Sequence, residues 1–304
     1  MTDTILMIRP VAFRRNEETV ENNYFQKEKT RVLPKTMQTK ALKEFNALVE
    51  KLEKIGLNVI IVDDTTETDT PDSIFPNNWI SFHESGTVCI YPMFAENRRL
   101  ERREEVLKVV ESNGFKIKNI IDYSSAEEEN VFLEGTGSFV LDRQNKIAYC
   151  ALSPRSNETL FIEFCEDLEY TPILFRAHQT VANKQRLIYH TNVMMSIGDN
   201  FALICLQAIS NKKERKQVIS MLDNSNKEII IINKEQVNHF AGNILQVTAK
   251  DKKYIVMSTT AYKSLSKAQI KIIEKHGEII SSDVSAIENY GGGSVRCMLT
   301  EIYS

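Results

Sequence analysis

The sequence contains no apolar run approaching the ~20 residues that cross a bilayer, and Met1-Thr2-Asp3-Thr4 offers neither a basic n-region nor a long apolar stretch after it. Membrane insertion and secretion are therefore not expected, and the cytoplasm is the expected compartment. The five cysteines, Cys89, Cys150, Cys165, Cys205 and Cys297, form no CxxC pair. That removes the usual ligand spacing for structural zinc and for thioredoxin-like redox chemistry. A net charge of −3 and a pI near 6.1 leave no broad basic surface for nucleic acid or an anionic membrane. Gly291-Gly292-Gly293 lacks the GxGxxG or GxxxxGK[ST] spacing that cradles phosphates. The 42% apolar and 26% charged residues are an ordinary globular balance, enough for a large core.

What is present is a repeat of elements with little repeat of residues. Apolar strand candidates recur at 57–62, 117–121, 172–175, 228–232 and 278–280. Each is followed by a loop and then by a small or amide residue that opens a hairpin: Asn78, Gly137, Asn192, Asn243 and Gly293. The openers are spaced 59, 55, 51 and 50 residues apart. Turns such as His83-Glu84-Ser85-Gly86 and Gly198-Asp199-Asn200 carry the Gly, Asn and Asp that a hairpin needs. Amphipathic helices are expected after the hairpins, at 102–112, 157–168, 212–222 and 264–276. The fifth hairpin starts at Gly293, runs on from Val295, and lacks a partner strand before the chain stops. An unused strand lies at the other end, 4–9, followed by a helix over 39–55 with Leu42, Phe45, Leu48, Val49, Leu52 and Ile55 on one face. The expected architecture is α/β: five strand–hairpin–helix units in one pseudosymmetric ring, closed by pairing of the N- and C-terminal strands, with 1–304 as a single catalytic domain.

In such a ring the openers meet around the axis. Glu134 lies three residues before Gly137, His190 two before Asn192, and Cys297 four after Gly293, while Asn78 is itself an opener. A carboxylate, an imidazole, an amide and a thiol would face one cleft. Four of the cysteines sit in apolar strands and read as packed thiols. Cys297 instead follows a glycine run that lets backbone approach a ligand closely. A thiol beside an imidazole is the pairing that nucleophilic catalysis uses. His239, four residues before Asn243, is the rival base.

Three segments in order, Leu133-Glu134-Gly135, His190-Thr191-Asn192 and Gly293-Ser294-Val295-Arg296-Cys297-Met298, resemble the motifs of the guanidino-group-modifying (pentein) superfamily, which holds arginine deiminases, dimethylarginine hydrolases and amidinotransferases. Ile8-Arg9-Pro10, Asn22-Asn23 and Phe75-Pro76-Asn77-Asn78-Trp79 are most similar to its citrulline-utilisation hydrolases. The resemblance implies a five-unit α/β propeller, Cys297, His190 and Glu134 as the catalytic set, and neither metal nor organic cofactor. It also implies Arg98, Arg99 and Arg155 as candidates to bind a substrate carboxylate. Asn22 and Asn23, on an N-terminal loop, are further candidates to reach the site. Deiminases of this superfamily carry Asp where this chain has Asn78 and Asn192. A carboxylate only accepts hydrogen bonds, whereas an amide both donates and accepts. Two amides suit a neutral ureido group, so the expected reaction is citrulline to ornithine, ammonia and carbon dioxide. Arginine deimination, succinylarginine hydrolysis and amidino transfer stay open, as does a non-catalytic ribosome-binding role on the same fold. The expected partner is a small amino-acid substrate, and a homodimer stays open.

Overall fold

The computed structural model describes residues 2–26 and 32–303. Its strands form five three-stranded sheets of one design: an antiparallel hairpin whose second strand pairs in parallel with a third. The first joins Ile80–His83, Thr87–Ile90 and Asn119–Asp122. The second joins Phe139–Asp142, Ile147–Ala151 and Thr171–Phe175. Met195–Ile197, Phe201–Ile204 and Glu228–Ile231 form the third. Leu245–Ala249, Lys252–Ser258 and Glu278–Ser282 form the fourth. The fifth draws on both chain ends. Thr4–Arg9 pairs antiparallel with Thr300–Ile302, Thr4 opposite Ile302, and in parallel with Asn58–Asp63. The five sheets are separate, so the expected closure at the termini completes a sheet of its own and not one continuous ring of hydrogen bonds.

Each parallel third strand is reached through a helix, as parallel pairing requires a crossover. Several of these helices start where a polar side chain satisfies free backbone N–H groups. Asn157 caps Glu158–Asp167 by accepting from Leu160 N, and Asn211 caps Lys212–Asn224 by accepting from Lys213 N and Glu214 N. The helix expected over 264–276 is two helices, Thr259–Ser264 and Lys267–Ile273. Ser266 and Gln269 form a reciprocal capping box that starts the second afresh. The long helix Pro34–Ile55 buries Phe45, Leu48 and Leu52 against the fourth and fifth sheets. An additional hairpin, His178–Val181 with Lys184–Leu187, turns at Ala182-Asn183 with both residues at positive φ, the geometry of a type I′ turn.

Single helical turns stand at four of the five openers: Pro76–Asn78, Gly135–Ser138, Thr191–Val193 and Val295–Met298. Gly135–Ser138 packs against both Pro76–Asn78 and Thr191–Val193, and Val295–Met298 packs against Pro76–Asn78. The last of these corrects an expectation. Cys297 is on a helical turn and not on the strand expected to run on from Val295, because Cys297 N donates to Ser294 O at 3.0 Å and Asn243 Oδ1 takes Arg296 N at 3.0 Å. The strand begins at Thr300.

Candidate active site

Cys297 is 3% exposed and its Sγ receives two side-chain amides, Asn243 Nδ2 at 3.3 Å and Asn192 Nδ2 at 3.6 Å. The other four cysteines lie in the core. Burial pushes the Cys89 and Cys165 thiols up to about 12 and raises Cys150 and Cys205 as well, so all four stay protonated at neutral pH.

His190 precedes the turn Thr191–Val193, which is pinned by Ala151 N donating to Thr191 Oγ1 at 2.7 Å. Its Nε2 lies 2.7 Å from Glu134 Oε2. A carboxylate only accepts, so Nε2 carries the proton and Nδ1 is left with its lone pair. Burial drives His190 down to about 4, against the opposing pull of Glu134, and the ring is neutral at pH 7. Glu134 is fully buried, which disfavours its charge. Arg155 beside it, then the His190 hydrogen bond and Arg98, nevertheless hold the carboxyl well below the usual range. Phe94 N donates to Oε1 at 3.0 Å and Arg155 Nη1 to Oε2 at 3.2 Å. Gly137 makes the cleft possible: a Cβ there would lie 2.5 Å from Asn78 Nδ2 and 2.8 Å from His190 Nδ1.

Asn78 has a fixed orientation. Arg98 Nη1, which can only donate, reaches Asn78 Oδ1 at 2.7 Å, while Asn78 Nδ2 donates to Asn77 Oδ1 at 3.0 Å. Arg98 is 2% exposed and grips Glu101 with Nε and Nη2 at 2.8 and 2.9 Å. Arg155 is equally committed, with Nε on Asn22 Oδ1 at 2.7 Å and Nη2 on Thr19 O at 3.1 Å. Asn23 Nδ2 donates to Gly291 O and Gly292 O at 3.3 and 3.4 Å, roofing the site from the N-terminal segment.

The small cavity at Cys297, about 10 Å³, is lined by Asp72, Asn78, Arg98, Arg155 and His190, with Gly291–Gly293 as one wall. That is roughly the space of one water. A larger cavity of about 480 Å³ lies at the far ends of the hairpins, lined by Arg143, Glu301 and Tyr303, and has no cysteine in its lining.

Two expected groups lie elsewhere. Arg99 is turned away, its Nε on Met93 O at 3.1 Å and 3.5 Å from Glu127, and it does not line the Cys297 cavity. One position along a helical turn rotates a side chain by roughly 100°, so Arg98 and Arg99 cannot share a target. His239, the rival base, is half-exposed and hydrogen-bonds Glu235 O. Asp72, Glu101 and Asn243 were not expected as site residues. Asn243 could have been found, since it is the fourth opener; nothing in the sequence distinguishes Asp72 or Glu101. Among the described residues no group of three or more His, Cys, Asp or Glu has the arrangement to hold a metal ion, and no helix is long and apolar enough to cross a membrane.

Residues 9–304 match the family model of eukaryotic N,N dimethylarginine dimethylhydrolase. The chain belongs to this family. It is accordingly a member of the guanidino-group-modifying (pentein) enzyme superfamily and a hydrolase of non-peptide C–N bonds. Solved structures share the family's mixed α/β fold. The N-terminal domain of ArgZ bound to substrate, an arginine dihydrolase from the ornithine-ammonia cycle in cyanobacteria, is 18% identical with a TM-score of 0.73, over 99% of this chain and 98% of that domain. Full-length ArgZ gives 16% identity and a TM-score of 0.74, and this chain spans 40% of its length. A dimethylarginine dimethylaminohydrolase adduct with 4-chloro-2-hydroxymethylpyridine is 16% identical with a TM-score of 0.65, covering 99% of this chain and all of that one. No curated protein sequence matches the chain.

Proposed function

We propose that this dimethylarginine dimethylhydrolase-family chain hydrolyses a ureido group, with citrulline as substrate and ornithine, ammonia and carbon dioxide as products. One observation carries the reading: Asn78, which lines the cavity, and Asn192, which contacts the Cys297 sulfur, present opposite polarities. Asn78 has its carbonyl occupied by Arg98, so it offers N–H. Asn192 has its N–H on the sulfur, and its Oδ1 is buried without a partner among the described residues, so it offers a carbonyl. A ureido group has one carbonyl acceptor beside N–H donors and complements such a pair. A guanidinium only donates and leaves Asn78 unmatched. Asp72 adds a buried carboxylate whose Oδ1 lacks a partner among the described residues, suited to an amino-acid ammonium.

In the mechanism that follows, neutral His190 takes the Cys297 thiol proton, and the sulfur attacks the ureido carbon. His190 returns that proton to the departing ammonia as the C–N bond breaks. A thiocarbamate remains on Cys297. Water, deprotonated by His190, attacks it and releases the thiol, and the carbamate decays to amine and carbon dioxide. Glu134 fixes the imidazole through Nε2 and stabilises its protonated form. We read the five sheets as blades of one α/β propeller with these groups at its hub, in a single catalytic domain over 1–304. The 10 Å³ cavity is too small for an amino acid, so groups that line it, among them Asn23 of the N-terminal segment, shift for substrate to enter.

Arginine hydrolysis, the activity of ArgZ, is the second reading, favoured by the spare Asp72 oxygen, which a guanidinium could also use. The deciding experiment is product analysis with citrulline, arginine, dimethylarginine and succinylarginine, against Cys297→Ala as blank. Ornithine and ammonia from citrulline, with little from the guanidino compounds, is expected. Faster turnover of any guanidino compound refutes the ureido reading.

A further inference from the structure

Asn243 enters none of the steps above, yet it is the amide nearest the reacting sulfur. It is fully buried, and its orientation is set from both ends. Its Oδ1 accepts from Arg296 N at 3.0 Å, and a backbone N–H can only donate. Its Nδ2 donates to Asn192 O at 3.1 Å, and a backbone carbonyl can only accept. The two restraints agree and leave the second Nδ2 hydrogen for Cys297 Sγ at 3.3 Å. Flipping the amide would set its oxygen against both Asn192 O and the sulfur and would strand Arg296 N. Asn192 also reaches the sulfur, at 3.6 Å, but its side-chain carbonyl has no partner among the described residues and is free to follow a substrate. One amide on Sγ is therefore fixed and the other adjustable.

We propose that Asn243 is a catalytic residue, a preorganised N–H donor that carries the negative charge on Cys297 Sγ before attack and again when the sulfur leaves. The assignment rests on Cys297 as the nucleophile but not on which compound is hydrolysed. A fixed dipole aimed at an atom where charge develops needs no reorganisation during the reaction. The donor comes from the fourth repeat and the acceptor sulfur from the fifth, so the contact exists only because the two units abut.

The rival account is structural: Asn243 merely anchors Arg296 N and so holds the turn Val295–Met298. Asn243→Asp separates the two, since a carboxylate keeps the acceptor for Arg296 N and loses the donor to sulfur. The measurement is the rate of Cys297 alkylation by iodoacetamide at pH 7, followed by mass spectrometry of the cysteine-containing peptide, with Cys297→Ala as control. Substrate is absent, so the outcome is independent of the product analysis above. Loss of a charge-assisted hydrogen bond predicts a slowing of about tenfold or more. Asn243→Ser, smaller and less disruptive of folding than a buried carboxylate, is the second variant and is expected to slow alkylation similarly. Alkylation at the wild-type rate in a folded Asn243→Asp protein overturns the proposal. If that variant does not fold, wild-type or faster alkylation of Asn243→Ser overturns it.

Discussion

Glu134→Gln tests the electrostatic frame of the site. The substitution keeps the shape and removes one charge. Arg155, 1% exposed, then loses its only carboxylate within 4 Å among the described residues, although Asn22 Oδ1 and Thr19 O still accept from it. Breaking a buried pair by deleting one partner costs about 3–5 kcal/mol, since the surviving charge is left in a poorly solvating interior. Catalysis suffers separately, because the protonated imidazole formed during attack loses the anion 2.7 Å from Nε2. A fall in kcat of about 10²–10⁴-fold is expected from impaired proton transfer. Urea unfolding reads the first effect and ammonia release the second. The double variant Glu134→Gln/Arg155→Met distinguishes them: with both charges gone, most of the lost stability should return, because replacing both members of a buried pair is close to neutral. Activity should stay low. A single variant within ~0.5 kcal/mol of wild type, the scatter of ordinary surface changes, would refute the account of Arg155 and Glu134 as a buried ion pair.

The acid limb of kcat/KM should lie well below pH 6.5, because His190 must be neutral to take the thiol proton and burial holds it at about 4; a limb at the ordinary histidine value would contradict that burial. The same depressed value means the unfolded chain binds a proton between pH 6.5 and about 4 that the folded chain does not, so this histidine's contribution to stability falls as pH drops through that window and should appear as a lower urea midpoint. His190→Ala should abolish ammonia release while His239→Ala leaves it unchanged, and the reverse result would reassign the base. Asn78→Asp should cut citrulline turnover by about 10²-fold or more through loss of the N–H offered to the ureido carbonyl; unchanged kcat/KM for citrulline would remove Asn78 from the recognition. Arg99→Ala should leave KM within about twofold, since its side chain is directed at Met93 O and Glu127.

The amino-acid sequence by itself determined the repeat. Strand and helix periods, turn chemistry and the spacing of Asn78, Gly137, Asn192, Asn243 and Gly293 are local properties, and the hairpins formed in the expected places because alternation and Gly/Asn/Asp turns fix register over a few residues. That Cys297, His190 and Glu134 lie near one another follows from the same local spacing: each sits a few residues from an opener, and the turns at the openers pack together. Only the tertiary structure decided which neighbours reach the cleft. Arg98 and Arg99 are adjacent in sequence, yet one is sealed against Glu101 and Asn78 and the other faces Glu127. His190 and His239 hold similar places before their openers, yet only the first meets a carboxylate within the core. Asp72, Glu101 and the lock on Asn243 depend on contacts between segments 20 to 50 residues or more apart, except for the short Arg98–Glu101 span, and no local pattern encodes them. Side-chain direction at the end of a short helical turn is set by the phase of that turn against its neighbours, which is a property of packing between units and not of the sequence within one.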